Sequence, residues 1–196
     1  MANNKIKEYD NLRNEINQKI ELHNTLLTFT ITTTVAALTF ALSQNKTILY
    51  LIPFCILIPM SMRIAYYRSA MSKISAYMIV FLEKDLDGIK WETRNTVLIE
   101  EHLNKKKKDI NSYTILRYYE CLILSVICYV FYVIDFIKDK EIHAVVVINI
   151  LWPLLFVIWE ALITKRINSI DKEKRKWIEQ WNEIKEKNEN DNSIVQ

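Results

Sequence analysis

Glycine is almost missing from this chain of 196 residues, which has one glycine, Gly88, and three prolines. Phosphate-binding loops, dinucleotide-binding turns, carbonyl-lined selectivity filters and series of tight β-turns all need several glycines. The same shortage excludes helix pairing through closely spaced glycines in a membrane. Few turn signals, and apolar residues at helical rather than alternating spacing, predict an all-α chain.

Cysteine and histidine are also scarce, and their positions do not favour a redox or metal site. The three cysteines lie within apolar stretches and are odd in number, which is typical of packing residues. The three histidines are far apart, and no Ser/His/Asp or Cys/His arrangement suits nucleophilic catalysis. We therefore predict a protein that is not an enzyme and has no cofactor.

Charge is missing from four apolar stretches, the first of which runs for 22 residues. A helix needs about 20 residues to cross the hydrocarbon core of a bilayer. The sequence therefore predicts four transmembrane helices, with the lipid bilayer as a direct partner and no nucleic acid expected. The uncharged stretches are Asn24–Asn45, Thr47–Met62, Cys121–Ile134 and Ile142–Trp159.

Lys and Arg residues avoid the two gaps that follow the first and third stretches. Of 26 basic residues, 23 lie in the two terminal segments and the central segment, and three lie in these gaps. Basic residues concentrate on the cytoplasmic side of membrane proteins. We expect both termini and the central segment to be cytoplasmic, in the cytoplasmic membrane of a bacterium.

These patterns divide the chain into five segments. Between spans two and three, we expect a long cytoplasmic helical hairpin that turns at the single glycine. Its first helix continues span two as far as about Leu82, and its apolar stripe should pack on the returning helix. The segments are a cytoplasmic amphipathic helix (1–23), a first transmembrane hairpin (24–67), the cytoplasmic hairpin (68–114), a second transmembrane hairpin (115–164) and a cytoplasmic helical tail (165–196).

Four charged residues lie near the predicted cytoplasmic ends of the spans, where charge is costly and often functional. They are compatible with a ring of ion pairs that gates a pathway, and equally with simple anchoring at the interface. This candidate network consists of Arg63, Arg117, Glu120 and Glu160.

A second candidate lies around the turn of the cytoplasmic hairpin, where acids and bases alternate beside a tryptophan. It could bind a small anionic ligand or a protein partner, or it could only close the hairpin, with Glu92 and Arg94 stabilising helix ends. The residues of this segment are Glu83, Trp91, Glu92 and Arg94.

Span one and the tail suggest contacts between copies. Seven threonines in span one could line a wet pore or pack against neighbouring helices. A heptad-like seam in the tail, with Trp177, Trp181 and Ile184, is the candidate oligomer contact. We therefore expect a homo-oligomer.

The segment Tyr77–Arg94, which reads YMIVFLEKDLDGIKWETR, resembles a motif of uncharacterised bacterial multi-pass membrane proteins from low-GC Gram-positive organisms. Residues 1–105 are also similar in plan to the SLATT group of small membrane effectors in bacterial defence systems. SLATT proteins have one transmembrane hairpin, whereas this chain has two. The resemblance implies an effector with no catalytic residue.

The sequence thus predicts a homo-oligomeric, channel-like or membrane-perturbing effector in a bacterial stress or phage-defence system. The alternative is a membrane anchor or sensor subunit that recruits a soluble cytoplasmic partner through the hairpin and the tail.

The predicted topology can be tested by thiol labelling in a chain whose native cysteines are replaced. Asn45→Cys or Asp139→Cys should react with a membrane-impermeant thiol reagent added to intact cells. Asn95→Cys should react only after the membrane is opened. The reverse labelling pattern would contradict the orientation.

Overall fold

The computed structural model describes residues 2–44, 46–86, 88–105, 112–138 and 144–194. Over these ranges the backbone is almost entirely helical and contains no strand, which confirms the all-α prediction. The helices are α1 (Ala2–Gln44), α2 (Ile52–Tyr77), α3 (Trp91–Lys105), α4 (Ser112–Ile137) and α5 (Ala144–Ile194), with a 3₁₀ helix (Thr47–Leu51) before α2 and a π-helical turn (Met78–Leu82) after it.

Four helical segments are long and apolar enough to cross a membrane, as predicted. α1 has 43 residues and α5 has 51, so they are roughly 65 and 75 Å long at 1.5 Å per residue. Both greatly exceed the hydrocarbon core of a bilayer, which is about 30 Å thick. The apolar segments are Asn3–Gln44, Thr47–Leu82, Tyr119–Ile137 and Ile148–Ile170.

The predicted boundaries near residues 23 and 165 are not breaks in the backbone. α1 continues through the first and α5 through the second, because neither junction contains a glycine or a proline. The backbone is likewise helical from Thr47 to Leu82, the range in which the sequence predicted a continuous helix.

The chain divides into two compact units. The polar unit consists of Met1–Leu22, Tyr67–Asn111 and Ser169–Gln196, and the apolar unit consists of His23–Tyr66 and Ser112–Asn168. α1, α2 and α5 contribute residues to both units.

Aromatic side chains form much of the core of the apolar unit. The rings of Phe54 and Phe156 stack with their centroids 5.4 Å apart. In the same unit, the Thr47 hydroxyl donates a hydrogen bond to the Asp135 carboxylate at 2.7 Å. The fully or nearly buried members of this core are Ala41, Tyr50, Leu51, Phe54, Cys128 and Tyr132.

Pro153 lies inside α5 and has no N–H to donate to the carbonyl of Asn149. The hydroxyl of Tyr132, on α4, donates to that carbonyl at 3.1 Å. An unpaired carbonyl is costly in hydrocarbon because no water can reach it. α4 therefore supplies the hydrogen bond that the proline removes.

The polar unit buries the apolar stripe of the predicted hairpin. The expected partner was the returning helix α3, whereas Tyr9, Leu12 and Ile16 of α1 pack on the stripe in this cluster. Their three- and four-residue spacing places them on one face of α1, which matches the stripe. The stripe contributes Met71, Ile74, Tyr77, Met78 and Phe81 to the cluster, and Leu82, Leu86 and Ile89 join them.

Tyr132→Phe should lower the thermal unfolding midpoint of the purified protein, because the Asn149 carbonyl loses its donor at a cost of about 1 kcal/mol. In a chain that also carries Pro153→Ala, α5 regains its own N–H donor. The tyrosine change should then cost much less. Equal losses in the two backgrounds would show that the hydroxyl does not replace the missing hydrogen bond.

Candidate functional site

Glu83 is a buried carboxylate that closes the N-terminal end of α3. It is 2% exposed, and its oxygens accept the backbone N–H groups of Glu92 at 2.7 Å and Thr93 at 2.9 Å. The Thr93 hydroxyl also donates to it at 2.6 Å. The first N–H groups of a helix have no partner within the helix, and the positive end of its dipole favours an anion. Glu83 therefore caps α3 from across the turn.

The turn between Glu83 and α3 depends on the single glycine. Gly88 has a φ of +86°, in the left-handed region that other residues rarely adopt. The π-helical turn before it ends with a hydrogen bond from the Glu83 N–H to the Met78 carbonyl at 2.9 Å. Asp87, the other residue of the predicted turn, lies outside the described residues.

Glu92 connects four helices through one buried carboxylate, which is 4% exposed. Arg13 of α1 donates to Oε1 at 2.6 Å, the Ser75 hydroxyl of α2 donates to Oε2, and the Lys174 ammonium of α5 lies 3.6 Å from Oε2. Breaking a buried ion pair by removing one partner is strongly destabilising. This cluster therefore fixes how the helices of the polar unit pack.

A second ion pair connects the start of α1 to the same turn, at the surface. Lys5 donates to Asp85 at 2.5 Å, and this hydrogen bond lowers the pKa of the Asp85 carboxyl below its usual value. Both side chains are about 40% exposed (39% and 41%), so water screens their attraction and the pair adds little stability.

Two residues of the predicted turn segment, Glu83 and Glu92, have partners within the polar unit, and binding of a ligand or a protein by this segment stays a prediction. The sequence left open that Glu92 and Arg94 stabilise helix ends, whereas other residues do so in the structure. Glu83 caps the helix, and Arg13 pairs with Glu92. Arg94 is exposed, and Trp91 is 57% exposed with the Arg13 guanidinium 5.7 Å from its ring.

Sequence reasoning missed Arg13, Ser75 and Lys174 as members of this cluster. Each is far from Glu92 along the chain, and each belongs to a different helix. A single sequence gives no signal for such pairings unless the helix packing is known.

Among the three members of the predicted membrane-mouth network whose side chains are described, only Glu160 is deeply buried. Glu160 is 0% exposed, Ser61 donates to its Oε1 at 2.9 Å, and its Oε2 has no partner among the described atoms. The Arg63 guanidinium lies 5.3 Å from the ring of Tyr66 on its own helix. Glu120 is partly buried, and the Arg117 side chain lies outside the described part. A ring of ion pairs through the four residues stays a prediction.

The seven threonines of span one differ in exposure, and one of them, Thr33, is half-buried. Thr30 and Thr34 are fully buried, whereas four others lie on the exposed face of α1 with an alanine and a serine. These six small residues lie within about 80° of the helix circumference and extend over roughly 27 Å. We call them the hydroxyl stripe: Thr25, Thr28, Thr32, Ala36, Thr39 and Ser43.

Several hydroxyls of the stripe donate to carbonyls of α1 itself. Thr32 lies 3.0 Å from the Thr28 carbonyl, and Thr39 donates to the Val35 carbonyl at 2.8 Å. Such bonds satisfy the hydroxyl proton and leave the oxygen lone pairs available as acceptors. The stripe is therefore a small-residue face that still accepts hydrogen bonds.

Two of the three predicted oligomer residues of the tail, Trp177 and Trp181, have partners within the chain. The Trp181 ring packs edge-on against Tyr77 and Phe81, with centroids 5.4 and 6.0 Å apart. The Lys73 ammonium lies 4.4 Å from the centre of the Trp177 ring, and Ile184 is 42% exposed. Much of the apolar surface that suggested association through the tail is thus covered internally, and contact between copies there stays a prediction.

Comparison of the chain with protein-family models, with curated proteins and with solved structures finds no match.

Glu83→Ala should lower the thermal unfolding midpoint, because α3 loses its cap and buried N–H groups lose their acceptor. Loss of an N-terminal cap costs roughly 0.5–2 kcal/mol. Glu186→Ala is the matched control, since it removes one carboxylate from an exposed position on α5. Circular dichroism during heating measures both, and equal midpoints for the two variants would contradict the capping role.

Proposed function

We propose that the protein is a non-enzymatic, homo-oligomeric membrane channel in which hydroxyl stripes from several copies line a water-filled path. The observation that carries this proposal is the stripe itself, a continuous exposed face of small, mostly hydroxyl-bearing side chains on α1. Hydroxyl oxygens can solvate water and ions, and small side chains leave room for them.

The other exposed faces of the apolar unit have a different character. α4 and α5 present large aliphatic side chains, which suit contact with lipid tails. Phe29 and Phe40 flank the stripe on α1 and are each 53% exposed. The exposed aliphatic residues include Ile123, Val126, Val130 and Ile134 on α4, and Ile148, Leu151, Leu155 and Leu162 on α5.

The length of the stripe also fits a path through a membrane. Its roughly 27 Å are close to the thickness of the hydrocarbon core, about 30 Å. A bundle of four helices fills its own interior with side chains and does not enclose an aqueous channel. Water would therefore pass between copies, with α1 of each copy turned towards the shared axis.

The sequence supports the orientation of the protein in the membrane and its proposed role. The asymmetry of Lys and Arg supports an orientation in which both termini are cytoplasmic. The resemblance to bacterial membrane effectors supports a role in a stress or phage-defence response.

The second candidate function is a membrane anchor that recruits a soluble partner. It is favoured by the folded polar unit, which has its own apolar core and its own buried ion cluster. In that case, the hydroxyl stripe is a dry contact between transmembrane helices, since small residues let helix backbones approach closely.

Cysteine crosslinking should show α1 at the centre of the oligomer. In a background without native cysteines, Thr32→Cys should form disulfide-linked dimers in membranes under mild oxidation. Leu155→Cys, on the exposed aliphatic face of α5, is the matched control and should form no disulfide-linked dimer. Equal crosslinking at the two positions would contradict a specific contact through the stripe.

Flux through liposomes then separates the two functions. Vesicles that contain the unmodified protein should release ions, and a charged thiol reagent should reduce release through Thr32→Cys but not through Leu155→Cys. Crosslinking without any flux, across a range of voltages and pH, would favour the anchor and overturn the channel.

A further inference from the structure

A cavity of about 270 Å³ lies inside the polar unit, beside the buried Glu92 cluster. Helices α1, α2, α3 and α5 all contribute to its wall. It opens to the surface, and its lining combines four isoleucines and a methionine with four charged side chains. Its volume is just below the range of pockets that bind drug-sized molecules, so a smaller ligand would fill it.

The charge of the wall is strongly biased. Arg13, Arg68 and Lys174 line the cavity, and Glu92 is the one carboxylate among the lining residues. The Lys174 side chain is 11% exposed and the Glu92 side chain 5% exposed, so water screens these two charges poorly, whereas the Arg13 side chain is 35% exposed. Over these four side chains the formal charge is +2, and Arg13 and Lys174 already contact Glu92.

The cavity also contains a polar atom without a partner. The hydroxyl oxygen of Ser72 is buried and has no hydrogen-bond partner among the described residues. A buried polar group that stays unpaired costs free energy, and it commonly pairs with a ligand or water. Ser72 can donate to an anion that enters between the cationic side chains.

We propose that this cavity binds a small phosphate monoester, with the phosphate held by Arg13, Arg68, Lys174 and Ser72 and the organic group against the apolar residues of the lining. A phosphate monoester carries about −1.5 to −2 charges at neutral pH, which matches the formal charge of these side chains, whereas a carboxylate carries one. Trp91 lies at the same cavity and offers a flat ring for a planar organic group. The residues that line this cavity belong to the polar unit, whereas the hydroxyl stripe belongs to the apolar unit. Binding to the cavity can therefore be measured in detergent, where no flux occurs.

Phenyl phosphate, which combines a dianion with a planar ring, is the probe for this site. Isothermal titration calorimetry of the purified full chain should show saturable binding that weakens as salt concentration rises. Benzoate, with the same ring and one negative charge, should bind about tenfold more weakly. Equal affinity for the two probes would overturn the assignment to a phosphate monoester.

Variants of the cavity wall test the location. Lys174→Met should weaken phenyl phosphate binding about tenfold or more, since a charged hydrogen bond is lost. Lys176→Met is the matched control on the exposed side of α5 and should bind normally. Equal effects of the two substitutions, or no binding by the unmodified chain at millimolar probe, would overturn the proposal.

Ser72→Ala keeps the test decisive if Lys174→Met fails to fold. The Ser72 hydroxyl has no partner in the described part of the protein, so its loss should leave the unfolding midpoint unchanged or raise it. Binding of phenyl phosphate should nevertheless weaken, by about threefold to tenfold. Unchanged binding in this variant would contradict the placement of the phosphate.

The phosphate can come from a soluble metabolite or from a lipid headgroup. Short-chain phosphatidic acid, added as a competitor, should displace phenyl phosphate if the headgroup enters the same cavity. Displacement at concentrations that leave inorganic phosphate ineffective would assign a lipid source. Failure to displace, with phenyl phosphate still bound, would assign a soluble one.

Discussion

Helix continuity is the constraint on which the rest of this structure depends. With one glycine and three prolines, the backbone has few places to stop, and helices of 43 and 51 residues result. Helices of that length exceed the thickness of a bilayer core, about 30 Å, so a long part of each is left over if it crosses one. The parts of α1 and α2 in the polar unit carry apolar residues that need cover, and they pack on one another, with Trp181 of α5 against Tyr77 and Phe81.

Two buried carboxylates give that packing its specificity. Apolar contacts alone would tolerate a shift of one helix along another, because the hydrophobic effect has no direction. Glu92 does not tolerate such a shift, since its oxygens need Arg13, Ser75 and Lys174 at hydrogen-bonding or ion-pairing distance. Glu83 likewise fixes where α3 begins. We infer that these carboxylates set the register of the polar unit rather than its total stability.

The helices and the apolar spans were predictable because they depend on local composition. Runs without charge, the missing glycines and the one turn at Gly88 are all visible along the chain. The partners of Glu92 were not predictable, because four helices must already be packed before their side chains meet. The seven threonines were visible, but only the structure divides them into buried and exposed groups. The role of Tyr132 was not predictable either, because it depends on a proline in another helix.

The arrangement of the small residues on α1, rather than their number, favours a contact with another copy or with water over a face that meets only lipid. Threonine is tolerated in hydrocarbon because its hydroxyl can bond to its own helix, as Thr32 and Thr39 do. If tolerance were the only reason for the threonines, they would be spread around the helix. Instead, four of them share one exposed strip with Ala36 and Ser43, and phenylalanines flank that strip. A lipid-facing helix gains nothing from such segregation, whereas a helix that meets another copy or an aqueous path requires it.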